Sequence, residues 1–361
     1  MRKKIVNKKL ASKKTLIIAA VTALALGSLA GCNGSAGNGG KAEQSEVTAS
    51  ENADKDYKVV RIGCGDTKNN QLGDLAAVAQ AEGYLEKELN AVGYTLQVTG
   101  FQGQGPEISS AIMSGSLDGG NIAEFPAFNS KSSGSDSSVI AVTDPKFLYG
   151  LLAVDDNIKT VKDLEGKKVV VQQGTTMQYV WEKNASLTGL DTDKVEIINA
   201  SVLDGISLLQ TGDADAIISA KYSLDYYAQS GLGHLIEDVP DEASATTLIV
   251  FNNDYIKNNP DVPVAINKAL IEAAEAVEKN PQLLYDTLGN KLGDQGAKVV
   301  EEGYKVDDSL SYLKPEFSED LLKTVNEIYQ WQKNNNLLSG DIDVDSFFDS
   351  SYYEKAVEEL K

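Results

Sequence analysis

Two periods of apolar and polar positions run along this chain. Lys58–Ile62 is a short β-branched run and Thr95–Phe101 alternates as a strand does, whereas Asp74–Leu89 places Leu75, Val78, Ala79 and Leu85 at helical spacing. Pro106–Met113 reads as a helix with proline near its first turn. The alternation then repeats: Lys168–Gln172 strand, Thr176–Leu187 helix, Val195–Ile198 strand, Ser201–Gln210 helix, Ala214–Ser219 strand, with later helical runs at Val264–Lys279 and Ser318–Lys333. Strands alternating with helices predict an α/β fold built on doubly wound, mostly parallel sheet. From Tyr57 onward the chain exceeds one comfortable core, which predicts two lobes.

A small signature recurs at two helix ends. Ile112, Gly115 and Asp118 are spaced as Leu209, Gly212 and Asp215 are, each set leading from a helix into a strand. The glycine can take the left-handed conformation that closes a helix, and the aspartate can bond backbone amides in the turn that follows. The expected role is local and structural.

The first residues follow neither period. Arg2, Lys3, Lys4, Lys8, Lys9, Lys13 and Lys14 form a positive stretch without acidic residues, followed by an apolar run from Leu16 to Leu29. That run is short for a membrane span of about 20 residues but suits the core of a signal peptide. It stops at Leu29-Ala30-Gly31-Cys32, which resembles the lipobox of bacterial lipoproteins. The resemblance implies cleavage before Cys32 and acylation of its thiol, so residues 1–31 are read as leader. Residues 32–56 are Gly, Ser, Ala, Asn, Glu and Lys with almost no large apolar side chain, too polar to bury a core. As a flexible chain they would span about 25–30 Å, enough for a tether.

Charge and rare residues narrow the chemistry. Without residues 1–31, which hold seven basic and no acidic side chains, 26 Lys+Arg face 53 Asp+Glu, a net charge of −27. So acidic a surface argues against nucleic acid and against electrostatic adhesion to anionic lipid. With Cys32 committed to the anchor, Cys64 has no disulfide partner. One histidine, His234, cannot build a multi-histidine zinc site, and any Ser-His-Asp or Cys-His arrangement would have to use it. It lies in the loop-like Gly231-Leu232-Gly233-His234, so the expectation is no enzyme, no metal and no cofactor.

A family resemblance rests on longer stretches. Ile158 to Thr176, reading IKTVKDLEGKKVVVQQGTT, resembles the second-lobe entry of type II periplasmic solute-binding proteins. Val60-Arg61-Ile62-Gly63, Ala81-Glu82-Gly83-Tyr84-Leu85, Ser114 to Gly120 and Pro126-Ala127 are similar to the branch that binds aliphatic sulfonates, taurine and nitrate. The resemblance implies a two-lobed fold with lobe 1 over 57–148, lobe 2 over 149–248, and residues 249–361 returning to lobe 1 with C-terminal helices. Ligand would sit between the lobes at the carboxyl ends of the strands and be trapped by hinge closure. It further implies a lipid-anchored binding component of an ABC importer on the outer face of the cytoplasmic membrane, monomeric, handing a small organic anion to permease and ATPase subunits. A heterocyclic thiamine precursor as ligand, or a ligand-sensing surface lipoprotein without transport, are the alternatives.

Candidate site residues follow from strand-to-helix junctions. Gly174, Thr175 and Thr176 follow a strand and open a helix, where first-turn amides and the helix dipole suit a sulfonate, phosphate or carboxylate. Thr175 could equally be a plain helix cap. Gln102, Gln104 and Gly105 offer a second such junction, and Asp66, Asn70 and Gln71 further polar edges. Two positions depart from the sulfonate pattern. Ala123-Glu124-Phe125-Pro126 stands where Gly-Asp is usual, and Ala220-Lys221-Tyr222 where Trp-Asp-Pro is usual. Lys221 would suit a second acidic group on the ligand, or would pair with Glu124 across the cleft; Tyr222, Tyr149, Phe125, Tyr179 and Trp181 could wall a pocket or pack in the core.

Overall fold

The computed structural model describes residues 56–361, apart from 238, 241–242, 295 and 305–309. The leader, Cys32 and the tether up to residue 55 lie outside the described residues. β1 (Lys58–Cys64) buries Val60 and Ile62 and exposes Val59, the alternation that its sequence predicts. Two helices follow where one was expected, α1 (Asp74–Ala81) and α2 (Tyr84–Ala91). Gly83 between them has φ 77°, a left-handed turn that ends the first helix and re-aims the second so that Leu85 and Leu89 are buried as fully as Leu75 and Val78.

β2 (Tyr94–Gly100), α3 (Gln104–Met113), β3 (Gly119–Ala123), α4 (Glu124–Ser132) and β4 (Ser137–Phe147) complete the first pass through lobe 1. The chain crosses at Leu148 into β5 (Tyr149–Ala153), then runs through β6 (Lys168–Val170), α5 (Thr176–Thr188), β7 (Glu196–Ile198), α6 (Val202–Thr211), β8 (Ala216–Ala220), α7 (Lys221–Gln229) and β9 (His234–Leu235). β10 (Ala245–Asn252) re-enters the first sheet, a little ahead of the return expected at 249. The sheets are ordered β2-β1-β3-β10-β4 and β7-β6-β8-β5-β9. β1, β2 and β3 are mutually parallel, as are β6, β7 and β8, while β10 in the first sheet and β5 in the second run against them. This is the two-lobed α/β architecture with parallel-rich sheets.

The recurring glycines close α3 and α6 with φ 73° at Gly115 and 77° at Gly212. The paired aspartates act differently from expectation: Asp118 Oδ2 accepts the amide of Arg61 in β1, and Asp215 Oδ2 the amide of Lys168 in β6, each 2.8 Å away. Each carboxylate therefore docks its strand onto the neighbouring one rather than bracing its own turn.

The C-terminal helices are α8 (Asn253–Asn258), α9 (Asp261–Lys279), α10 (Gln282–Gly289), α11 (Gly296–Tyr304), α12 (Glu319–Asn334), α13 (Val344–Phe347) and α14 (Ser351–Glu359). α9 packs on α1, α2 and α14, and α12 on α4, which returns them to lobe 1. α11 departs from that expectation by packing on α7 of lobe 2 as well as on α10. Trp331 of α12 also reaches both lobes, its ring 6.3 Å from Phe125 and 5.1 Å from Tyr179. Phe125, Tyr179 and Trp181 are buried in this shared core, so of the five aromatic candidates these three serve packing.

Candidate ligand-binding cleft

Parallel strands point their carboxyl ends the same way, so the loops after β1, β2 and β3 in lobe 1 and after β6, β7 and β8 in lobe 2 converge on one cavity of about 500 Å³. The helices that follow begin there: Asp74 of α1, Gln104 and Gly105 of α3, Pro126 of α4, Thr176 and Met177 of α5, Val202 of α6 and Tyr222 of α7 all line it. First-turn amides carry donors without intrahelical partners and the positive end of the helix dipole. The helix starts therefore offer donors to a negative group, while Asp66 and Asp74 also line the cavity and Lys68, an exposed side chain, is the only basic group among the described lining residues.

Of the expected site residues, Asp66, Gln71, Gln102, Gln104, Gly105, Thr175, Thr176 and Tyr222 line this cavity. Thr175 is the N-cap of α5: its hydroxyl accepts from Met177 N and donates to Gln172 O at 2.7 Å. Thr176 is 2 % exposed and its hydroxyl has no hydrogen-bond partner of good geometry. Gly105 is needed for packing, since a Cβ there would lie 2.4 Å from Pro126 Cγ. Gln71 donates its amide to Thr287 O, and Asp66 accepts the amides of Lys68 and Asn69 in a turn.

Four expected residues stand apart from the lining. Asn70 bolts its loop to β2 by accepting the Gly100 amide at 2.9 Å, and Gly174, at φ 73°, donates its amide to Gln178. Lys221 forms an ion pair with Asp225 one helical turn on, at 2.9 Å, so the pairing with Glu124 is not made. Glu124 is fully buried at the start of α4; Oε2 accepts the Thr246 amide at 2.7 Å and Oε1 has no partner. Burial without a cation pushes its carboxyl up to about 8, against the pull of the Thr246 bond. Burial, and then the charge of Glu124, raise the Tyr149 phenol at the cavity wall.

The sequence reading passed over Asp74 as a mere helix position. It is 4 % exposed and lines the cavity in a left-handed conformation, φ 53°. Its Oδ1 accepts the Tyr304 hydroxyl at 2.8 Å and its Oδ2 accepts Thr247 Oγ1. Behind it Asp144 is wholly buried, and burial, then the charge of Asp74, raise its carboxyl well above the usual range. The available signal was an acidic residue in a first turn just past a strand and its loop. His234 is remote from the cavity, its Nε2 2.7 Å from Ile158 O, and Cys64 is buried at the end of β1 with Sγ 3.6 Å from Asp66 O. Among the described residues no group of three or more His, Cys, Asp or Glu is arranged to hold a metal ion.

Comparison with known proteins adds an independent line. A family model described as NMT1/THI5 like matches residues 77–283. A Bacillus subtilis (strain 168) protein, described provisionally as aliphatic sulfonates-binding, is 24% identical over 313 residues, covering 84% of this chain and 90% of that protein. The fold matches the periplasmic sulfonate-binding protein of a sulfonate ABC transporter from Methylobacillus flagellatus KT with a TM-score of 0.70 at 21% identity, over 85% of this chain and 96% of that one. It also matches the desulfurization enzyme DSZB, at a TM-score of 0.67 and 15% identity, over 84% and 100%.

Proposed function

The chain belongs to the NMT1/THI5-like family, and from that premise we propose that it is the extracytoplasmic solute-binding component of an ABC importer, capturing a small sulfonate-like organic anion. The observation that carries this reading is the cavity between the lobes, ringed by helix N-termini and hydroxyl groups. The descriptions of the Bacillus subtilis and Methylobacillus flagellatus relatives support the ligand class and the transport role. Closure of the lobes about Leu148 and the return into β10 traps the ligand, and the closed form is handed to permease and ATPase subunits. Cleavage before Cys32 and acylation of its thiol hold the monomer at the outer face of the cytoplasmic membrane; replacing Cys32 by alanine should move the protein from the membrane to the soluble fraction.

The ligand is better described with one acidic end than two. Lys221, the cation expected to meet a second acidic end, is engaged by Asp225 and stands apart from the cavity lining. A flat heterocycle is less favoured, because Tyr304 stacks on Tyr222 at 6.1 Å and covers one of its faces. DSZB is an enzyme on a similar fold, which makes catalysis the competing reading. Against it, Cys64 is buried and His234 is remote, which leaves the cleft without a thiol–imidazole pair. A thermal-shift screen of the full chain separates these: alkanesulfonates at 100 times their dissociation constant should add about 2.7 kcal/mol of stability and be recovered unchanged. Release of sulfite from any of them would contradict the binding-protein reading.

A further inference from the structure

We infer that Glu124 makes anion capture in this cleft proton-linked: it is a positioning residue that holds a proton behind the cavity wall, and the anion binds tightly only while that proton is in place. The inference rests on reading the cleft as an organic-acid site. Glu124 opens α4 between Ala123 and Pro126, which both line the cavity, while its own side chain is wholly buried behind that lining. One of its oxygens accepts the Thr246 amide at 2.7 Å, and the other has no partner. An ionised carboxylate so placed is costly, and the protonated acid avoids that cost.

The position ties this proton to both lobes. Thr246 lies in β10, by which the chain returns to lobe 1, and Tyr149 opens β5, by which it enters lobe 2. Tyr149 lines the cavity, and the charge of Glu124 is the largest influence on its phenol after burial, so the two groups lie within electrostatic reach. The Thr176 hydroxyl acts on the same phenol without a hydrogen bond of good geometry. Glu124, Tyr149 and Thr176 thus lead from a buried acid to the first turn of α5, where amides suit an anion.

No fixed charge competes for this role among the described residues. α4 packs on α3, α5, α12, β3 and β10. The Tyr179 phenol of α5 feels the charge of Glu124, and β10 presents the Thr246 amide. Glu107 of α3 and the charged side chains of α12 are exposed, and β3 carries none. Burial raises the Glu124 carboxyl, and the backbone bonds from Thr246 and from its own amide only resist. An arriving anion adds a like charge across a wall of low polarity, which further disfavours the ionised form and draws in a proton. Affinity is therefore complete while Glu124 is protonated and is lost as pH rises through about 8.

The experiment titrates the full chain calorimetrically with ethanesulfonate and with propionate, both fully ionised from about pH 6.5 to about pH 9, in buffers of different ionisation heat. The wild type should bind at least about fivefold more weakly at the upper pH, with proton uptake on binding that is absent at the lower pH and grows towards the upper one. Glu124→Gln cannot ionise and still accepts from Thr246, so its affinity should be independent of pH and its binding free of proton uptake. Glu124→Met, also neutral at every pH, gives the same readout should the first variant fail to fold. A wild-type affinity that does not change with pH, or proton uptake that survives in these variants, overturns the role of Glu124 while leaving the organic-acid reading in place. Binding of neither acid at any pH overturns both.

Discussion

At Thr175 and Thr176 two adjacent hydroxyls have different partners, and substitution should separate them. Thr175 caps α5 through Met177 N, so Thr175→Ala should cost about 1 kcal/mol of stability. Thr176 has no protein partner of good geometry, so Thr176→Val should leave the melting temperature nearly unchanged yet weaken ligand by about tenfold, consistent with a lost hydrogen bond of about 1.4 kcal/mol. Glu124 supplies a pH signature. Its carboxyl rises from 4.5 to about 8 on folding, so the fold prefers the protonated form. The stability this gives is complete below pH 4.5 and is lost as pH rises to about 8. Glu124→Gln, which can still accept from Thr246, should flatten that decline and melt higher than wild type at pH 8. A parallel decline in both proteins would show that another group is responsible. Residues such as Thr176 and Gln104 were legible in the sequence because a strand, a short loop and a helix start are local events. The partners of Lys221 and Glu124 were not. An acid one helical turn away outcompetes one across the cleft, and the burial of Glu124 depends on β10, more than a hundred residues later in the chain.

Among the elements, α11 was the hardest to foresee and is the most testable. Gly303 sits against Tyr222, where a Cβ would lie 2.6 Å from the Tyr222 Cβ, so α11 and α7 approach only because this position is glycine. Gly303→Ala should destabilise by about 1–3 kcal/mol through overpacking and, by displacing Tyr222 at the cavity, weaken ligand as well. Unchanged melting and unchanged binding would mean that the two helices slide apart freely. The regular elements were readable because hydrophobic period is written in each segment: α5, α6 and β1 begin or end within a few residues of expectation. The break at Gly83 was missed because apolar spacing continues through it, while only the backbone reverses.

For the whole molecule, parallel strands in both lobes were implied by the alternation, but the antiparallel β10 and β5 were not, since sequence period does not record direction. These strands flank the crossings between lobes, where hinge motion would concentrate. Ligand should therefore shrink the radius of gyration in solution scattering, while Trp331, packed on Phe125 and Tyr179, keeps the back of the cleft joined. The central claim, that the space between the lobes captures a small organic acid, is met most directly by calorimetric titration of the full chain with a panel of short sulfonates and carboxylates. One-to-one saturable binding of at least one of them, weakened by Thr176→Val, is the predicted result. The absence of saturable heat with every acid in the panel would contradict it.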